Sequence, residues 1–123
     1  MTVLRTIPLQ AIANARAGDK GNRLNIGVVA KDQKFFDVIS EQVTADRVKD
    51  VFARRRPDRV VRYDLPKLSA FNFVLDNVLE GGVNSSLGLD GHGKALSFLL
   101  LRITVRIDEQ LLMTLGNQLS VGL

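Results

Sequence analysis

Apolar residues in this chain follow two different periods in alternating blocks, and that interleaving constrains the fold more than any other feature. Leu24 to Ala30 is a short Ile- and Val-rich run with the length of a buried strand. Residues 33–42 then place Phe35, Val38, Ile39 and Gln42 at helical spacings of three and four. Thr44 follows as a helix N-cap, with Val43 and Val48 at the two positions of a hydrophobic staple. Val48, Val51 and Phe52 form the apolar stripe of this helix, and Pro57 ends it. Arg59 to Leu65 returns to strand content through Val60, Val61 and Tyr63. A further helix is predicted from about Ser69 to Leu79, because Phe71, Val74, Leu75, Val78 and Leu79 fit the i, i+3, i+4, i+7, i+8 pattern. Leu68 and Phe73 would staple its start, and Gly81-Gly82 would supply the left-handed residue after its end.

The flanking segments are less regular. Ile7, Leu9, Ala11, Ala13 and Ala15 alternate partway with Pro8, Gln10, Ile12 and Asn14, which predicts a first strand. Ala17 to Asn22 reads as a polar turn, since Gly18 and Gly21 punctuate it. Between 85 and 100, Asp90 either caps a helix carrying Leu96, Leu99 and Leu100 or opens a hairpin with Gly91; the helix is favoured. Leu101, Ile103, Val105 and Ile107 alternate with Arg102, Thr104 and Arg106, the pattern of a strand with one wet face. One or two helical turns through Leu111, Leu112 and Leu115 are predicted before Gly116. Interleaved strands and helices with a hairpin between the first two strands predict an α+β fold. The expected form is a ferredoxin-like sandwich, one sheet with helices packed on one face.

At 123 residues the chain is expected to be one domain, large enough to stand on its own core. It has to, because the absence of cysteine removes both a disulfide framework and a Cys-based zinc site. No segment has the apolar length of a signal peptide or a membrane span, so no membrane contact and a cytoplasmic location are expected.

Three motifs bear on function. The richest polar cluster is Arg16-Ala17-Gly18-Asp19-Lys20-Gly21-Asn22-Arg23-Leu24-Asn25. Its glycines would free backbone N–H groups for an anion-binding nest, with Lys20 and Arg16 or Arg23 adding charge. The competing reading is a solvated β-turn whose Asp19 and Asn22 bond local backbone groups. Walker A spacing is absent. Second, Arg47 to Arg62 carries seven basic residues against Asp50 and Asp58, a local charge of +5 that exceeds the chain's net +4. Arg54 to Arg56 sit at a predicted helix C-terminus, where cations complement the dipole, so no nucleic-acid partner is expected. Third, His92 is the single histidine, flanked by Gly91 and Gly93, and is read as an exposed turn residue. A pairing of His92 with Ser85 or Ser86 lacks any nucleophile elbow, and no metal site is expected.

Three stretches together carry a family resemblance. They are Asn14 to Asn22 with Asn25-Ile26-Gly27-Val28; Tyr63-Asp64-Leu65-Pro66 with Phe71-Asn72-Phe73-Val74-Leu75; and Gly81-Gly82-Val83 with Asp90 and Gly93-Lys94-Ala95-Leu96. Over about residues 8–106 the chain resembles the small ferredoxin-fold domain of the acyclic terpene utilisation (AtuA-like) family, which occurs fused to a large domain or as a separate short chain. Ala17 stands where members of that family usually carry serine. The resemblance implies a family domain over 1–107 with a C-terminal extension over 108–123. It implies a small subunit or accessory domain that acts with an AtuA-like large chain in catabolism of acyl-CoA-linked terpenoids or branched acids. The alternative is a stand-alone anion- or CoA-binding protein, or an enzyme, using the Gly18–Asn25 segment. It brings no catalytic residue set, so whether the chain is an enzyme stays open. The candidate ligand-binding residues are Arg16, Gly18, Asp19, Lys20, Gly21, Asn22 and Asn25. No cofactor is evident, and a CoA thioester is the ligand class considered. The apolar tail with Leu111 and Leu115 predicts burial in a homo-oligomer or against the large chain.

Overall fold

A computed structural model of the chain describes residues 3–20, 23–53, 57–76 and 90–114, without the side chains of 19–20 and 90–95. Among the described residues, strands and helices follow one another as β1 (Leu4–Pro8), β2 (Ala13–Lys20), β3 (Arg23–Ala30), α1 (Phe36–Gln42), α2 (Ala45–Val51), β4 (Arg59–Leu65), β5 (Ala70–Asp76), α3 (Asp90–Leu101) and β6 (Thr104–Asp108). Residues 109–114 add a short helical stretch. The strands make a four-stranded antiparallel sheet in the order β2-β3-β5-β4 and a two-stranded ribbon of β1 with β6.

The connections are those of a ferredoxin-like sandwich. The chain passes from β3 through α1 and α2 to β4 and leaves a gap that β5 fills, a split βαβ unit. The edge position beside β3 is taken by β2, which enters from the N-terminal side; β6, which follows α3, instead pairs with β1. Helices α3 and α2 lie against β2 and β4, and α1 lies against β6.

The core follows from strand alternation. Leu24, Ile26 and Val28 on β3 stand opposite Leu75, Phe73 and Phe71 on β5, and all six are fully buried. Phe35, Ile39, Val43, Val48, Phe52, Leu96 and Leu100 cover this surface from the helical side, and Val105 and Ile107 of β6 close one end. The predicted helix over 33–42 forms as a 3-10 turn, Gln33–Phe35, running into α1. Thr44 caps α2 as expected, its hydroxyl oxygen accepting from the Arg47 N–H at 3.2 Å. Arg59 to Leu65 is a strand as predicted, and the favoured helix at Asp90 forms as α3.

Four expectations are corrected. The first strand read over 7–15 is divided, because Leu9–Ala11 forms a 3-10 turn between β1 and β2. Residues 70–76 form β5, not a helix from Ser69: Phe71, Phe73 and Leu75 obey period two as well as Phe71, Val74 and Leu75 obey the helical one. Pro66–Leu68 forms a 3-10 turn and Ser69 takes the left-handed conformation (φ 52°), which turns β4 back into β5 instead of capping a helix. The polar turn placed at 17–22 is also shorter than expected, because β2 continues to Lys20 and β3 resumes at Arg23 directly opposite. His92 belongs to α3 and not to a turn. The Gly81–Ser86 stretch, Leu115 and the end of the tail lie outside the described residues.

Arginines finish the packing of α1. The Arg62 guanidinium, from the helix-facing side of β4, donates to the Ser40 and Val43 carbonyls at 2.7 and 3.1 Å and pairs with Asp64 at 2.8 Å. It lies 5.1 Å from the Phe71 ring, which stacks on Phe36 at 4.6 Å. Arg47 donates to the carbonyls of Gln42 and Thr104. The last carbonyls of a helix have no intrahelical donor, and these side chains supply one.

Phe73→Ala should therefore lower stability by about 3–5 kcal/mol, the range for an emptied aromatic core site. Thr44→Ala should cost about 1 kcal/mol. Urea unfolding of the two variants measures both; equal losses would contradict the packing described.

Candidate functional site

One face of the four-stranded sheet carries the helices. The other carries no helix among the described residues. Strand alternation decides what it displays, and the register aligns those residues in rows across the sheet. Arg16, Gly27, Asn72 and Tyr63 form one row, and Gly18, Asn25, Val74 and Val61 form the next. Asn14, Val29, Ala70 and Leu65 lie on one side of these rows, and positions 20, Arg23, Asp76 and Arg59 on the other. Adjacent strands are about 4.8 Å apart, so the row from Arg16 to Tyr63 spans about 14 Å.

This arrangement sorts the candidate residues. Arg16, Gly18 and Asn25 come together on the open face, while Asp19 occupies the register position opposite the buried Leu24. Gly21 and Asn22 lie outside the described residues. The Lys31 N–H donates to the Ile12 carbonyl, which makes 12 and 31 a hydrogen-bonded pair. Counting by twos along the register, Arg16, Gly18 and Lys20 are hydrogen-bonded to Gly27, Asn25 and Arg23. The Gly18 amide is thus used by the ladder. At Gly18, therefore, no amide is left over for an anion-binding nest.

Asn72 and Tyr63 belong with Arg16 and Asn25, and local sequence reading missed them. They arrive through β5 and β4, whose alignment with β3 no short motif encodes. The signal lay in period-two reading of 70–76, which puts Asn72 and Val74 on the face opposite Phe71 and Phe73. None of the side chains of Arg16, Asn25, Asn72 and Tyr63 has a hydrogen-bond partner among the described residues. Gly27 separates Arg16 from Asn72, and an added Cβ there would meet only the Arg16 carbonyl oxygen at 3.9 Å. A guanidinium, two amides and a phenol bordering a side-chain-free saddle are groups for binding carboxylate or carbonyl oxygens. They contain no nucleophile paired with a base.

Beside these polar groups the face is apolar. Val29 and Leu65 are exposed, Tyr63 is 53% exposed, and Leu68 in the β4–β5 turn is 67% exposed. At its other end Arg23 pairs with Asp76 at 2.7 Å, next to Arg59. The basic stretch from 47 to 62 has been partly absorbed by structure, since Arg47 and Arg62 serve α1. Among the described residues no group of three or more His, Asp or Glu side chains is gathered as a metal site. No helix among them is long and apolar enough to cross a membrane.

The family model described as the AtuA ferredoxin-like domain matches residues 7–106. No curated protein and no solved structure matches the chain.

The two faces make opposite predictions for one substitution. Val29→Lys, on the open face, should change stability by no more than about 0.5 kcal/mol. Val28→Lys, one residue away and fully buried, should prevent folding. Circular dichroism melts of the pair decide it. The remaining basic surface should form no complex with DNA or RNA that survives about 200 mM salt in a filter-binding titration.

Proposed function

Since the chain belongs to the AtuA ferredoxin-like domain family, matched over 100 of its 123 residues, we propose that it acts as a small subunit or accessory domain beside an AtuA-like large chain. Its place is then in catabolism of acyl-CoA-linked terpenoids or branched acids. The observation that carries this reading is the open sheet face. A face displaying Tyr63, Leu65, Val29 and Leu68 next to Arg16, Asn25 and Asn72, whose side chains have no hydrogen-bond partner among the described residues, combines an apolar contact surface with directional polar groups. Contiguous exposed apolar surface of this kind is characteristic of interaction sites. The polar groups recognise oxygens without transforming a substrate, which fits a domain that completes a site whose reacting groups stand on another chain.

The second reading, a stand-alone CoA or anion binder, draws on Arg16 at the same face and on the basic end formed by Arg23 and Arg59. The two readings separate experimentally. Co-expressed with an AtuA-like large chain, the tagged protein should recover it, and Tyr63→Asp with Leu65→Asp should cut recovery at least about tenfold while the fold is retained, since both positions are exposed. Recovery that is unaffected by the double substitution places the contact elsewhere and rejects the face. In the isolated chain, CoA should shift the backbone amide resonances of β2 and β3, with Arg16→Ala weakening the response, if the second reading holds. An unchanged spectrum at millimolar CoA rejects that reading alone.

A further inference from the structure

The two edges of the β1–β6 ribbon are treated differently. The Leu9 N–H donates to the Ile103 carbonyl, and the Glu109 N–H donates to the Val3 carbonyl. With the register of Arg5 on Ile107 and Ile7 on Val105, the odd-numbered residues of this strand bond β6. The N–H and C=O of Leu4 and Thr6, and the C=O of Pro8, therefore point away from β6. By the same count Thr104 and Arg106 turn their backbone groups to the far side of β6, and there three of the four are sealed. The Gln42 side chain donates to the Arg106 carbonyl at 2.6 Å and accepts from its N–H at 2.7 Å, as a neighbouring strand would. Arg47 takes the Thr104 carbonyl. On the β1 side, the outward groups of Leu4 and Thr6 have no backbone partner among the described residues. Leu4 is 58% exposed and Val3 53%.

A free strand edge is a template for another strand. We infer that the outer edge of β1 is a self-association seam, where β1 of a second copy adds antiparallel about a two-fold axis at Thr6. The chemistry of this edge favours a second copy, because the edge is complementary to itself. With Thr6 facing the second copy's Thr6, each Thr6 N–H donates to the other's carbonyl, and each Leu4 N–H donates to the carbonyl of the second copy's Pro8. Four hydrogen bonds form; because proline has no N–H, the carbonyl of each Leu4 is left to solvent. Arg5 then faces the second copy's Ile7. The neighbouring register would instead set Arg5 against Arg5 at about 4.5 Å, a like-charge contact that disfavours it. Pairing makes a continuous sheet of β6, β1 and their two copies, isologous as a two-fold requires. The tail is not needed for this seam, and Leu111 and Leu112 are already packed on the core of their own chain.

Sedimentation equilibrium of the full chain between roughly 10 µM and 1 mM, the range of small transient interfaces, should show reversible conversion from the 13.6 kDa monomer to twice that mass. Thr6→Pro removes an N–H that β6 does not use and puts a ring where the second strand lies. It should leave the circular dichroism spectrum unchanged and hold the protein monomeric throughout. Since the chain has no cysteine, Thr6→Cys introduces a single thiol. Under oxidation it should give a disulfide-linked dimer, whereas Leu4→Cys, displaced along the seam from its own copy, should not. A wild type that stays monomeric at 1 mM overturns the proposal, as does a folded Thr6→Pro protein that still dimerises. If Thr6→Pro fails to fold, absence of the Thr6→Cys cross-link overturns it.

Discussion

Everything else in this molecule is built on the contact between β3 and β5. Leu24, Ile26 and Val28 meet Leu75, Phe73 and Phe71 as direct cross-strand neighbours on one face. The hydrophobic drive to cover that one surface explains why the described helices lie on the same side. It also explains the position of Arg62, whose strand alternation points inward at the margin of the core. There the charge is kept by the carbonyls at the end of α1, by Asp64 and by the face of Phe71. An inward arginine without such partners would carry a large desolvation cost. With them it ties helix, edge strand and core together.

The same alternation makes the opposite face. Each residue that sends Leu, Ile or Phe inward has neighbours that point outward, and these supply Arg16, Asn25, Gly27, Asn72 and Tyr63. Core and candidate site are therefore not independent. A slip of one residue between β3 and β5 would exchange them, so burial of the core fixes the spacing of the polar groups on the open side.

Local pattern was enough wherever a segment's own residues decide its structure. Thr44 with Val48, the run Arg59–Leu65, and Leu24–Ala30 are of this kind. It failed at 70–76, where seven residues satisfy both periods and the outcome rests on pairing with two other strands and on the backbone of Ser69. It fell short at β2 for a related reason: Gly18 weakens a strand and marks a turn, yet pairing with Asn25 holds it extended. Half of the polar row was legible as one motif, Arg16 to Asn25. Asn72 and Tyr63 were not, because they are 47 residues or more from Arg16 and meet it only through the register of the sheet.

Because β2 fills the edge position from the N-terminal side, β1 and β6 are left as a ribbon in which Leu4 faces Asp108 and Val3 meets Glu109. The first and the last described strand thus lie side by side, with Leu4 and Asp108 at the same end. Drawing Leu4 and Asp108 apart would open this ribbon pair by pair, the weakest way to load two antiparallel strands. Mechanically the ribbon acts as a fuse: loaded across that end, it yields before the buried layer and the surface that layer holds in place.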